Sequence, residues 1–169
     1  MDKLWAPWRV KYVTEMIGKT KGCVFCKMLK ERKDKKNLIV IRTKLSFTVL
    51  NLFPYNNGHI LVLPNRHVAD FSKLTEEENT DLFRLLNTTK SLLDKILKPA
   101  GYNVGMNLGR VAGAGFPGHL HVHIVPRWKG DSNFMPVIGQ TKVISQSLQT
   151  LHQRLTSQHQ LLAKKKSSD

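Results

Sequence analysis

The chain has 169 residues, 41% of them hydrophobic, which suits one domain with a substantial core. Lys and Arg number 27 against 12 Asp and Glu, a net charge of +15, and 11 of the 27 precede residue 37; a field of that sign steers polyanions toward the surface without saying which. No run approaches the roughly 20 apolar residues of a membrane span, and charges stand where a signal peptide would have its apolar run, so a cytoplasmic protein with no membrane partner is expected.

Residues 1–22 mix Trp5, Pro7, Trp8 and Tyr12 with basic residues and show no period. They are expected to form an irregular arm with at most one helical turn. Cys23 and Cys26 follow, a spacing that in a cytosolic chain fits a redox pair or half of a metal site better than a structural disulfide. Lys27 to Lys36 is charged and begins as a short helix. Asn37–Ile41 and Phe47–Leu50 are short β-rich runs suited to antiparallel pairing. Residues 51–58 are turn-rich, and His59–Leu63 makes a third strand that Pro64 stops.

From Ser72 the period changes. Ser72 or Thr75 caps a helix whose first turn holds Glu76, Glu77 and Glu78, negative charge where the helix dipole favours it. Leu82, Leu85, Leu86, Leu92, Leu93, Ile96 and Leu97 mark its apolar stripe, and Pro99-Ala100-Gly101 ends it. Tyr102–Leu108 reads as the fourth strand, 109–118 as a glycine-rich loop, and His119–Pro126 as the fifth strand. A last helix is expected from about Lys142 to Leu162. These elements predict an α+β fold: a five-stranded antiparallel sheet with one long and one C-terminal helix. The expected organisation is an arm (1–22), a folded domain (23–162) and a basic disordered tail (163–169).

The fifth strand carries the chemistry. His119, His121 and His123 alternate with Leu120, Val122 and Ile124, so in an extended segment the three imidazoles share one face while the aliphatic residues enter the core. Imidazole is both nucleophile and proton donor near neutral pH, and such a row suits covalent catalysis. The preceding loop brings Gly113, Ala114, Gly115 and Phe116 beside it; backbone N–H groups there can cradle a phosphate whose developing charge needs fixed donors. Cys23 and Cys26 can be completed by His67 and His119 into a tetrahedral zinc site, or His67 is a surface turn residue; spacing alone leaves both open.

These residues together resemble the histidine triad superfamily, whose pattern His-φ-His-φ-His-φ-φ (φ apolar) fits residues 119–125 at every position. The similarity extends through Asn51-Leu52-Phe53-Pro54-Tyr55-Asn56-Asn57-Gly58-His59-Ile60-Leu61-Val62-Leu63-Pro64 and covers most of residues 20–160. Leu4-Trp5-Ala6-Pro7-Trp8-Arg9 and residues 125–134 look most like the fragile-histidine-triad branch and its bacterial diadenosine tetraphosphate phosphorylases. The resemblance implies that His121 attacks the α-phosphorus of a nucleotide and carries a nucleotidyl-histidine intermediate. It implies that His123 contacts phosphate oxygens, that His119 and His59 line the pocket or fix its geometry, that Asn51 contacts ribose, and that Asn107 lies on the phosphate side. It further implies structural zinc on Cys23, Cys26, His67 and His119, no organic cofactor, and a homodimer.

In one respect the chain departs from the pattern. Many relatives place a glutamine four residues before the first histidine, where this chain has Gly115. Backbone donors of the loop can replace its amide, and the change suits an intermediate resolved by phosphate rather than water. The expected function is cleavage of dinucleoside polyphosphates by phosphorolysis or hydrolysis, with nucleic acid not required. A purine nucleoside phosphoramidase and a nucleotide- or RNA-binding module are the competing readings.

Overall fold

The computed structural model describes residues 22–131 and 144–166; the expected arm, apart from Gly22, and the last three residues of the tail lie outside them. Helix α1 (Val24–Glu31) begins on Cys23 and ends where Arg32 turns left-handed (φ 49°). A second short helix follows, α2 (Asp34–Asn37), closed by a left-handed Leu38 whose N–H donates to the Asp34 carbonyl. Asn37 therefore ends a helix, where the sequence suggested the start of a strand. The β-branched run takes over immediately afterwards as β1 (Ile39–Arg42), followed by β2 (Ser46–Leu50) and β3 (Ile60–Pro64).

The long helix α3 spans Glu76–Leu97. Its start is fixed by a capping box: Thr75 Oγ1 accepts the Glu78 N–H while Glu78 accepts the Thr75 N–H, satisfying two donors that a helix leaves orphaned. Strands β4 (Gly101–Met106) and β5 (Val122–Arg127) complete an antiparallel sheet in the order β1-β2-β3-β5-β4. The expected α+β architecture with five antiparallel strands is present. The fifth strand begins later than expected, because Val122 is the first residue paired to both neighbours; His119, Leu120 and His121 lead into it.

The last helix, α4, runs Leu148–Lys166 rather than from Lys142 to Leu162. Ser147 sets the start, its Oγ accepting the Thr150 N–H at 3.1 Å, the usual work of a cap serine. The lysines beyond Leu162 propagate the helix well and suit its negative end. Helices α3 and α4 cover one sheet face, and His152 of α4 donates from Nε2 to the Ile39 carbonyl at 2.8 Å.

Two features aim the chemistry. The register pairs Val49 with Leu61 and Leu61 with His123 across β2, β3 and β5; Cα partners share a face, so His123 stands in one row with two aliphatic side chains on the face away from α3 and α4. The turn before β3 is locked by Gly58, at φ +78° with a Cβ position only 2.5 Å from Leu97 Cδ1. Only glycine fits there, and it delivers His59 into the sheet at 0% exposure.

Candidate active site and metal cluster

The histidines form one connected row. Leu120, Val122 and Ile124 are each at most 2% exposed, so the alternation holds even though two of the histidines precede β5. The His121 and His123 ring centroids lie 5.0 Å apart, and those of His59 and His123 5.1 Å apart. His121 Nδ1–H donates to the His119 carbonyl at 2.8 Å, which leaves Nε2 as the nitrogen with the lone pair. Burial holds this imidazole below its ordinary range, against a weaker opposing pull from that hydrogen bond, so the neutral form is favoured.

A second set of hydrogen bonds assigns His123. The Tyr55 N–H donates to His59 Nδ1 at 3.0 Å, and the Asn51 amide approaches the same nitrogen at 3.3 Å. Nδ1 of His59 is therefore an acceptor and its Nε2 carries the proton, which it donates to His123 Nδ1 at 2.9 Å. With Nδ1 accepting, neutral His123 carries its own proton on Nε2. Thus a backbone N–H two rings away decides which nitrogen of His123 is the donor.

The row borders an open cavity of about 1100 Å³. His121 and His123 line it, and Asn51, Gly113, Gly115 and Phe116 reach it; Phe25, Met28, Leu38, Val49 and Leu61 form an apolar wall. An open cleft with a few polar groups at an apolar wall suits a ligand with a flat apolar part and a polar end, such as a nucleotide. Of the residues singled out from sequence, His59 and His119 lie behind the cavity, fixing neighbours instead of lining it, and Asn107 and Ala114 do not line it either. Asn51 Oδ1 is engaged by the Phe53 N–H at 3.0 Å, so its amide faces the histidines.

Sequence reasoning missed Phe25 and Tyr55. Phe25 is 5% exposed and packs edge-on against His119 and Phe116, both with centroids at 5.4 Å, and tilted against His121 at 5.8 Å. Tyr55 lies nearly parallel to His123, at 13° and 5.7 Å. The available signals were an aromatic between two cysteines and an aromatic four residues ahead of His59.

Behind the row lies the cysteine cluster. The ligand atoms of Cys23, Cys26, His67 and His119 all fall within 4.8 Å of one another. His119 Nδ1 is 3.3 Å from the Cys23 sulfur and 3.7 Å from that of Cys26, and His67 Nδ1 is 3.5 Å from Cys26. His119 Nε2–H donates to the Pro64 carbonyl at 2.9 Å, which turns the Nδ1 lone pair toward the thiols. Burial, then the neighbouring Cys23, push the Cys26 thiol up; a bound cation would reverse this by stabilising the thiolate. Burial and then the neighbouring His67 and His121 hold His119 below its ordinary range, against the pull of the Pro64 bond. The four residues can hold a metal ion, and His67, exposed on its turn, belongs with them.

The HIT domain family matches residues 32–130. The chain belongs to the HIT family. It is 38% identical over 165 residues to an AP-4-A phosphorylase of Mycobacterium tuberculosis, covering 94% of this chain and 84% of that one. It is 41% identical over 93 residues to an asymmetrical bis(5'-nucleosyl)-tetraphosphatase of Schizosaccharomyces pombe, covering 55% of this chain and 50% of that one. A Zn-bound histidine triad family protein from Mycobacterium smegmatis shares the fold of this HIT protein, with a TM-score of 0.68 at 21% identity, covering 88% of this chain and 98% of that one. None of the helices in the described residues is long and apolar enough to cross a membrane.

Proposed function

We propose that this HIT protein cleaves dinucleoside polyphosphates, diadenosine tetraphosphate above all, through a nucleotidyl-histidine intermediate on His121. The observation that carries the reading is the tautomer of His121: Nδ1–H is fixed on the His119 carbonyl, and the ring, which lines the cavity, keeps the lone pair of its other nitrogen. The AP-4-A phosphorylase, similar along nearly the whole chain, supports the substrate class. Nε2 of His121 bonds the α-phosphorus, the bond to the bridging oxygen breaks, and ATP departs with the electron pair. Inorganic phosphate or water then displaces the histidine, giving ADP or AMP. Two in-line displacements replace one difficult attack. Nε2–H of His123 faces negative charge that grows on phosphoryl oxygen, and the backbone of Gly113 and Gly115 borders the same space.

The four-residue cluster is read as a structural zinc site. Zinc bonds of about 2.3 Å to sulfur and about 2.0 Å to nitrogen give tetrahedral sulfur to nitrogen edges of about 3.5 Å, and the edges here are 3.3, 3.5 and 3.7 Å. When bound, the ion ties α1 to the His67 turn and to His119; the hydrogen bond to Pro64 fixes the ligating nitrogen in advance. A homodimer closed through β4 is supported by the open edge of that strand, where Val104 is 52% exposed. Residues 163–166, expected in a disordered tail, continue α4 instead, so the folded domain of this reading runs from Cys23 to at least Lys166, and a cytoplasmic location belongs to the same reading.

The test is incubation with diadenosine tetraphosphate, with and without inorganic phosphate, for the wild type and His121→Ala. ADP plus ATP appearing only with phosphate means phosphorolysis, and AMP plus ATP means hydrolysis. His121→Ala should lose turnover with its circular dichroism intact, and a variant turning over at the wild-type rate would rule out the assignment.

A further inference from the structure

The cavity carries polar groups at two ends. His121, His123 and Asn51 stand at one, and Lys36 and Asn37, where α2 runs into β1, stand at the other, with Val49 and Leu61 between them. The register gives the span: Val49 of β2, Leu61 of β3 and His123 of β5 lie in one row, and the Leu38 carbonyl accepts the Leu50 N–H at 3.0 Å. From the end of α2 to β5 is thus three strand spacings, on the order of 14 Å. A phosphate at His121, a ribose at Asn51 and a flat base along the apolar wall take up that length, and the base brings its outer edge to Asn37.

The amide of Asn37 has a fixed orientation. Its Nδ2 donates to the Met28 carbonyl at 3.4 Å and to Glu31 Oε2 at 3.2 Å, and neither partner can donate in return. The bond from Asn37, ahead of the nearby lysines, holds the Glu31 carboxyl below its ordinary range, so this partner stays an acceptor. A flipped amide would set Oδ1 against two oxygens. Oδ1 is therefore the atom turned away from Glu31 and Met28, and among the described residues it accepts no hydrogen bond. Lys36, 3.9 Å from Glu31, offers donors alone, and every purine has ring nitrogens to meet them. Of the two, the Asn37 oxygen is the group that tells a base edge that donates from one that does not.

We propose that Asn37 selects the base of the reacting nucleotide: Oδ1 accepts from the exocyclic amino group of a 6-aminopurine, so that of two unlike nucleosides on one polyphosphate bridge the aminopurine nucleoside enters the cavity and the other leaves. The inference rests on the dinucleoside polyphosphate reading and adds to it which end of an unsymmetrical substrate reacts. Glu31 is the positioning residue that keeps the oxygen facing the base.

The experiment uses a dinucleoside tetraphosphate with adenosine at one end and purine riboside, which has hydrogen in place of the 6-amino group, at the other. With adenosine in the cavity, Nε2 of His121 bonds the phosphorus next to adenosine, the bond to the bridging oxygen breaks, and purine riboside triphosphate leaves with the electron pair. Phosphate or water then displaces the histidine, its proton passing to solvent, and gives ADP or AMP. The reverse docking gives ATP and the diphosphate or monophosphate of purine riboside, so one chromatogram reads the preference whatever the overall rate. The wild type should release purine riboside triphosphate over ATP by about tenfold, the effect of one hydrogen bond whose loss strands an acceptor. In Asn37→Leu, which keeps the shape of the side chain, and in Asn37→Ala the ratio should fall to near one. A purely structural role for Asn37 would slow both dockings alike and leave the ratio unmoved. An even split by the wild type, or the wild-type ratio in either variant, would overturn the proposal. A wild type that leaves diadenosine tetraphosphate intact would instead bring down the functional reading, and this proposal with it.

Discussion

His59→Phe separates a positioning histidine from a phosphate-binding one. The side chain is 0% exposed, and phenylalanine keeps the ring while removing both nitrogens. Three hydrogen bonds go, the 3.0 Å bond from the Tyr55 N–H, the 3.3 Å contact of the Asn51 amide and the 2.9 Å bond to His123 Nδ1. The donor left unsatisfied at Tyr55 costs about 1–3 kcal/mol of stability, a fall in Tm of roughly 2–12 °C for a chain of this length. The catalytic effect is smaller than outright loss of a donor. His123 retains its ring and only its tautomer is set free, a bias of about 1–1.5 kcal/mol, so kcat should fall about 5- to 13-fold. His123→Ala removes the donor itself, for which about 10²–10³ is the usual loss. Steady-state kinetics on diadenosine tetraphosphate and a thermal melt read both quantities. A folded His59→Phe with wild-type kcat would refute the relay, and a loss equal to that of His123→Ala would mean that His59 touches the phosphate directly.

Cys26→Ser should lower bound zinc from one equivalent per chain to less than a tenth by elemental analysis and reduce Tm by several degrees, because one hard oxygen cannot replace the thiolate; a full zinc equivalent in the variant would exclude this cluster as the site. Glu78 accepts two bonds from Arg66 at 2.8 and 2.7 Å and one from the Thr75 N–H at 2.9 Å, and Arg66 chiefly holds its carboxyl down from 4.5 to about 2. A depressed pKa contributes stability that is present above about pH 4.5 and lost as pH falls toward 2. With the half-exposed guanidinium screened by solvent, Glu78→Gln should cost about 1–2 kcal/mol at pH 7, and the gap to wild type in urea melts should close with acidification; a constant gap would contradict the ionic account. Val104→Lys on the open edge of β4 should shift the sedimenting species from twice 19.3 kDa toward 19.3 kDa, and a wild type that already sediments as a monomer would remove the proposed interface.

The elements that sequence located well are those whose pattern is local. The capping box at Thr75, the leucine stripe of α3 and the alternation across residues 119–125 each follow from backbone geometry within a few residues, so their type was legible. The limits of β1 and α4 were less so, since Leu38 in a left-handed turn and the Ser147 cap are single-residue decisions that a hydrophobic period does not record. Tertiary structure alone decided the division of labour among the histidines. His119 and His121 are two residues apart and chemically identical in sequence, yet the Pro64 carbonyl and two thiols claim one while the other is left with an available nitrogen. Likewise a remote Tyr55 N–H sets the proton on His123 by way of His59. An imidazole has two equivalent ways to hold its proton, and only neighbours brought together from distant parts of the chain can choose between them.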